Sequence, residues 1–243
     1  MSEIVAQPDP HGHDEGAHPA HLAHHFTDLA QQKESATLGM WLFLVTEVML
    51  FGAIFACYTV YRYQYYNEFV AASNELWVRL GTINTVVLLG SSFAMAMAVH
   101  AGHAGDSKRI TRYLLLTILL GLIFVGIKFT EYAIDYKEGL IPVLKWEPRL
   151  PDPHQDQHAK LFFVFYFIMT GLHALHMIAG MSVLAVLAWL AHRRKFTSQW
   201  YTPVEMAGLY WHFVDVVWVF LFPTLYLVNP ALKVAGGHGG GGG

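Results

Sequence analysis

A few ionisable residues stand inside long apolar runs, and these are the groups with chemical capacity in this chain. Glu47 lies in the middle of one run. His173 and His176 are spaced i, i+3 beside Thr170 in another. His212 and Asp215 share that spacing in the last run, and Lys128, Glu131 and Tyr132 stand together in a third. Residues three apart on a helix share a face, so each group presents its polar members together. An ionisable group in hydrocarbon is costly and persists only with a partner or a task. Three tasks are open: pairing between helices to fix their packing, passing protons or ions along a route, or holding a proton or a lipid headgroup at a partner's surface. Histidines on facing membrane helices can also ligate haem iron, and His173, His176 and His212 are the residues that could do so. Two of them one turn apart on one helix, with an acid beside the third, read instead as a hydrogen-bonded network without a dedicated ligand geometry.

Outside the runs, the first 35 residues are polar and carry His11, His13, His18, His21, His24 and His25. Such a cluster can chelate zinc or copper or buffer protons, but it follows no tetrahedral spacing rule, and the expectation is a solvated tail without bound metal. No basic segment followed by an apolar core and a small-residue cleavage site is read there. Cys57 is the single cysteine, which excludes an intrachain disulfide, a dithiolate copper centre and an iron–sulfur cluster within the chain.

The elements that position these residues follow from composition. Hydrophobic residues make up 54% of the 243 and charged ones 14%, well below the share of about 25% in soluble domains. Five stretches reach the roughly 20 apolar residues that a bilayer core requires. They run approximately over 38–62, 81–103, 113–135, 161–191 and 207–229, and only helix suits them. The expected architecture is an all-α integral membrane bundle of five transmembrane helices over residues 36–230. Residues 1–35 form a disordered tail and 231–243 a flexible Gly-rich end. Lys108, Arg109 and Arg112 in the second loop, and Arg193, Arg194 and Lys195 in the fourth, place those loops and the N-terminus in the cytoplasm. The topology is N-in, C-out. At 1.5 Å per residue, Glu47 and Asp215 lie at similar depths, roughly 14 and 15 Å from that side. Gly121, Gly126, Gly171 and Gly180 are small positions that permit close helix approach. The net charge of −3 gives no reason to expect a nucleic-acid partner.

Several runs go further. Tyr210-Trp211-His212-Phe213-Val214-Asp215-Val216-Val217-Trp218 resembles the last helix of haem–copper oxidase subunit III. Thr170-Gly171-Leu172-His173-Ala174-Leu175-His176, followed by Gly180, resembles the penultimate helix of that family. Phe129-Thr130-Glu131-Tyr132 and the stretch Asn84 to Ser92 are similar to two more of its motifs, and Gly39 to Phe51 is similar to the helix carrying the family's buried carboxylate, here Glu47. The resemblance covers about residues 38–229 in family order. The chain lacks the first two helices of the seven-helix mitochondrial form and is similar to the shorter five-helix bacterial version, which implies a bacterial plasma membrane location. In the long form those two helices wall a lipid-filled cleft, which here would need a partner to complete it.

The resemblance implies a subunit without a catalytic centre and without cofactors of its own. It would pack against catalytic subunit I and subunit II, which carry haem and copper, in a proton-pumping oxidase of the aa3 or caa3 kind. It would bind phospholipid and support proton uptake while the complex reduces oxygen to water with electrons from cytochrome c, which acts on the complex and not on this chain. Glu47 is the residue expected to exchange protons or bond a lipid headgroup. His173, His176, His212, Asp215 and Glu131 are the associated polar sites. A companion subunit of a quinol oxidase or nitric oxide reductase is the alternative, and an autonomous transporter or haem-binding bundle is a third. Glu47 and the Phe-Thr-Glu-Tyr run resemble the cytochrome c branch.

Overall fold

Capping residues set where the helices begin. The computed structural model describes residues 26, 28–142, 144–148, 150–198 and 200–228. Helix α1 (Leu29–Gln64) starts after Asp28, whose carboxylate accepts from Gln31 N at 2.7 Å. A short α2 (Tyr66–Asn74) follows, then α3 (Val78–His103). Asp106 opens α4 (Ser107–Lys137) by accepting from the amides of Lys108 and Arg109, both at 3.1 Å. A two-stranded hairpin, β1 (Leu140–Ile141) and β2 (Lys145–Trp146), leads to Asp152, which caps α5 (Pro153–His192) through His154 N. The last helix is α6 (Thr202–Tyr226). Side-chain carboxylates at these starts satisfy amides that have no partner within the helix.

Five of these helices, all but α2, are long and apolar enough to cross a membrane. The all-α membrane bundle expected from the sequence is the one observed. Helix α5 has 40 residues, about 60 Å against a hydrocarbon core of about 30 Å, so it extends past the bilayer or tilts. Two boundaries differ from expectation. Helix α1 begins at Leu29, ahead of residue 36, because Asp28 caps it and Lys33 pairs with Glu205 of α6 at 3.0 Å. The stretch between the first two spans holds α2. The tail histidines through His25 and the Gly-rich end after 230 lie outside the described residues.

Helices α3 to α6 pack closely on one another, while α1 leans chiefly on α6. Its other face leaves Leu38, Trp41, Leu42, Val45, Val48 and Met49 exposed, an arrangement that carries no hydrophobic penalty in lipid. The C-terminal end of α6 is tied down by its neighbours. Tyr58 of α1 donates to Thr224 O at 2.9 Å, Ser73 of α2 to Leu225 O at 3.0 Å, and Arg62 to Val228 O at 3.4 Å. Carbonyls in a last helical turn lack intrahelical donors, so α1 and α2 supply them. Close approach occurs at Gly121 and Gly180, where an added Cβ would meet Met181 Sδ at 3.0 Å and the Tyr210 ring at 2.9 Å. Gly126 and Gly171 do not serve this purpose, since nothing lies within 4 Å of their Cβ positions. Gly208 was not among the expected positions, yet its Cβ would stand 2.8 Å from Val99 Cγ2.

Candidate functional site

Glu47 is bonded across the bundle to His176, with Oε2 2.9 Å from Nε2. The other ring nitrogen of His176, Nδ1, lies 2.8 Å from Leu172 O in the preceding turn of α5. A carbonyl only accepts, so Nδ1 carries a hydrogen. The Nε2–Oε2 contact therefore holds one proton, located either on the carboxyl or on the imidazole. The side chains retain 15% and 13% exposure, so the pair is reachable from outside the packed core. Phe51 packs against His176 with centroids 5.2 Å apart and ring planes tilted by 59°, and Tyr210 OH donates to His176 O at 3.0 Å. Adjoining the pair is an apolar groove of about 390 Å³ between α1, α5 and α6, lined by residues that include Phe43, Ala179, Val183, Met206 and Tyr210. Phe43 is one turn before Glu47, and Ala179 is three residues past His176.

His173 and His176 of α5 are not used together. His173 is buried between Phe124 and Trp218, at 5.5 and 5.2 Å between centroids, and neither ring nitrogen has a hydrogen-bond partner. His212 of α6 meets Ser92 of α3 through Nδ1 at 2.9 Å. Asp215, one turn on, is buried with a carboxylate oxygen 3.9 Å from that nitrogen, beyond hydrogen-bond distance. Ser92 belongs to a row along α3 that faces α6. Trp211 Nε1 donates to Ser91 Oγ at 3.0 Å and Trp218 Nε1 to Thr85 Oγ1 at 3.1 Å. The two sequence runs 84–92 and 210–218 thus form one antiparallel polar seam.

At the opposite end, a second polar centre is closed off from the surface. Lys128 and Glu131 of α4 are 2% and 0% exposed and pair at 2.9 Å. The other two ammonium hydrogens go to Tyr226 OH at 2.7 Å and Tyr166 OH at 3.1 Å. Tyr226 OH in turn donates to Glu131 Oε1 at 2.7 Å, and Tyr166 OH to Asp135 Oδ2 at 3.3 Å. The rings of Tyr132, Tyr166, Trp218 and Tyr226 lie 4.8–5.5 Å from Nζ, within cation–π range. Tyr132 OH donates to Thr170 Oγ1 at 2.7 Å, since that hydroxyl gives its own hydrogen to Tyr166 O at 2.6 Å. Every donor of the ammonium is used, which is what a charge so buried requires.

The candidate residues lie inside the bundle, with partners that their spacing does not give. Glu47 pairs with His176, whereas its depth had aligned it with Asp215. Asp135, Tyr166, Tyr226 and Ser92 were not singled out. Asp135 and Tyr166 had a readable signal, since the acid lies i+4 from Glu131 and the tyrosine i−4 from Thr170. Nothing local marked Ser92 as the partner of His212. The three histidines considered for haem have different neighbours. Among the described residues no three His, Cys, Asp or Glu side chains converge as a metal-ligating group.

The family model described as cytochrome c oxidase subunit III matches residues 17–136 and 158–229. Among curated proteins, the chain is 32% identical over 193 residues to a probable cytochrome c oxidase subunit 3 of Nocardia farcinica, covering 79% of this chain and 88% of that one. It is 30% identical over 194 residues to cytochrome c oxidase subunit 3 of Thermostichus vulcanus, covering 79% and 87%. It is 29% identical over 215 residues to quinol oxidase subunit 3 of Bacillus subtilis, covering 86% and 97%. The five membrane-crossing helices, the seam between α3 and α6 and these matches agree, and the chain belongs to the haem–copper oxidase subunit III family.

Proposed function

We propose that this chain is the subunit III of a cytochrome c oxidase in a bacterial plasma membrane, oriented with its N-terminus in the cytoplasm, and that Glu47 with His176 exchanges protons beside the catalytic subunit's uptake path. Support for the donor comes from Glu47 and the Phe129–Tyr132 run, which resemble the cytochrome c branch, and from the names of two relatives. The observation that carries the proton reading is the Glu47 Oε2–His176 Nε2 contact, at 2.9 Å and partly exposed, with the other ring nitrogen committed to Leu172 O. A pair that holds one proton between two bases can accept from one side and deliver to the other. The apolar groove next to it fits phospholipid acyl chain, being lined almost wholly by carbon. Subunits I and II, with their haem and copper, carry out oxygen reduction; this chain positions lipid and proton-exchanging groups against them.

Glu47→Gln tests the reading, because it keeps shape and hydrogen bonding while removing titration. Assembly and haem content stay normal in the purified complex, and turnover is near normal at low pH. At alkaline pH, where proton supply limits, turnover slows or inactivation during turnover speeds up. Parent-like rate and lifetime over the whole range would remove the proton role. Steady-state oxidation of reduced cytochrome c against quinol by the same complex decides the donor.

A further inference from the structure

Residues 104–112 and 192–201 contain six basic side chains, Lys108, Arg109, Arg112, Arg193, Arg194 and Lys195, against one carboxylate, Asp106. Lys108, Arg112 and Arg194 line a groove of about 270 Å³ where the start of α4 meets the end of α5, together with His192, Ser107 and Thr111. Among the described residues no carboxylate lines it. Asp106 is engaged elsewhere, with Oδ1 on the amides of Lys108 and Arg109 and Oδ2 3.1 Å from Arg109 Nε. The α4 start is thus already capped, so an anion in the groove would be held by side chains and not by the helix terminus. Arg193 lies 4.8 Å over the Trp189 ring. Lys108, Arg112 and Arg194 are left as exposed cations of one groove, where like charges repel unless an anion joins them.

The backbone adds a separate argument. Arg194 has φ 54°, the left-handed conformation that closes α5 as its amide bonds Ala191 O at 2.9 Å and Lys195 N bonds Leu190 O at 3.2 Å. Glycine adopts this conformation freely and is the usual residue there. An arginine in its place is strained, and residues held in this way cluster at ligand-binding and other functional sites. Beside the groove, α4 exposes Leu115, Leu116 and Leu119, and α5 exposes Trp189, an indole placed as in the aromatic belt of a membrane interface.

We propose that this groove is a phosphate-binding site whose ligand is the headgroup of an anionic phospholipid, with the acyl chains along the exposed leucines of α4. It shares no lining residue with the apolar groove between α1, α5 and α6 and does not depend on the proton reading of Glu47. Basic pockets between membrane helices suit anionic headgroups, and a planar guanidinium meets phosphate oxygens bidentately.

The test uses the intact oxidase complex in detergent, depleted of lipid and titrated with phosphatidylglycerol or phosphatidylcholine while bound lipid is counted by native mass spectrometry. The parent complex retains one more phosphatidylglycerol than the variant Arg112→Gln/Arg194→Gly, whose affinity at that site falls on the order of thirtyfold. Phosphatidylcholine binding is the same in both. Arg194→Gly suits the left-handed backbone, so folding is preserved. Arg109→Gln, whose guanidinium is tied to Asp106, leaves the affinity unchanged. Equal weakening by Arg109→Gln reduces the effect to general surface charge and overturns the site, as does parent-like binding by the double variant. Inorganic phosphate in millimolar excess is the second arm. Failure to displace the lipid supports a lipid site, whereas protection by phosphate with no phosphatidylglycerol bound overturns the lipid assignment in favour of a soluble anion. Loss of a neighbouring subunit from the double variant, with lipid unchanged, makes the groove a protein contact and also overturns the proposal.

Discussion

Glu47 and His176, 129 residues apart in the chain, are joined through Oε2 and Nε2 at 2.9 Å. Helix α1 leans mainly on α6, so this contact is the polar link between its middle and α5. Removing either partner loosens α1 and leaves a half-buried polar group without its bond, at a cost of about 1–3 kcal/mol. Hydrogen bonds between membrane helices average only about 0.6 kcal/mol, which sets the lower expectation for their coupling. In a double-mutant cycle with Glu47→Ala and His176→Ala, the double variant loses less than the sum of the single losses. The measurement is the temperature at which the subunit leaves the complex. Strict additivity removes the pairing.

The buried ammonium of Lys128 gives a larger effect. Lys128→Met leaves Glu131 and Asp135 as carboxylates with 0% residue exposure and no cation, a cost of about 3–5 kcal/mol. Adding Glu131→Leu removes one stranded charge, and the double variant is more stable than Lys128→Met alone. Yield of assembled subunit and its thermal release report both. If Lys128→Met assembles like the parent, the ion pair does not hold α4, α5 and α6 together.

The spans, the polar residues and their motifs were legible because each depends on local sequence: a run of apolar residues, or a spacing of three. Lys128 and Glu131 pair as their i, i+3 spacing allows. Partners across helices were not legible, since they depend on how each helix is rotated. His173 and His176 have that same spacing yet reach different neighbours, Trp218 and Glu47. Helix α2 was hidden for a related reason. Its nine residues are too few to stand out, and it is held by contacts such as Ser73 Oγ to Leu225 O, formed only once α6 has arrived.

Close packing between α3 and α6 makes a steric prediction. A methyl at Gly208 would stand 2.8 Å from Val99 Cγ2, and overpacking of this kind costs about 1–3 kcal/mol. Gly208→Ala lowers the release temperature, and Val99→Ala added to it restores most of the loss. A Gly208→Ala variant indistinguishable from the parent rules out the close approach.

Orientation rests on the two basic loops. A reporter fused after Arg194 is expected in the cytoplasm and one after Val228 outside. Readouts on the same side for both contradict the arrangement of α6, and a cytoplasmic Val228 reverses the side from which Glu47 is reached.

His173 separates the haem reading from the packing reading. Its ring is 1% exposed, wedged between Phe124 and Trp218, with both nitrogens unpartnered. A buried polar group without a bond is a net cost, so replacing it by an apolar ring of similar size is neutral or stabilising. His173→Phe is therefore expected to keep the subunit in the complex at or above the parent release temperature. His212→Leu behaves differently, because it strands Ser92, and lowers that temperature by the equivalent of about 1 kcal/mol. Neither change touches iron if the haems belong to the catalytic subunit, so the visible spectrum of the complex stays the same in both. A shifted or bleached haem band in His173→Phe would make that histidine a ligand and reverse its assignment to the packed core.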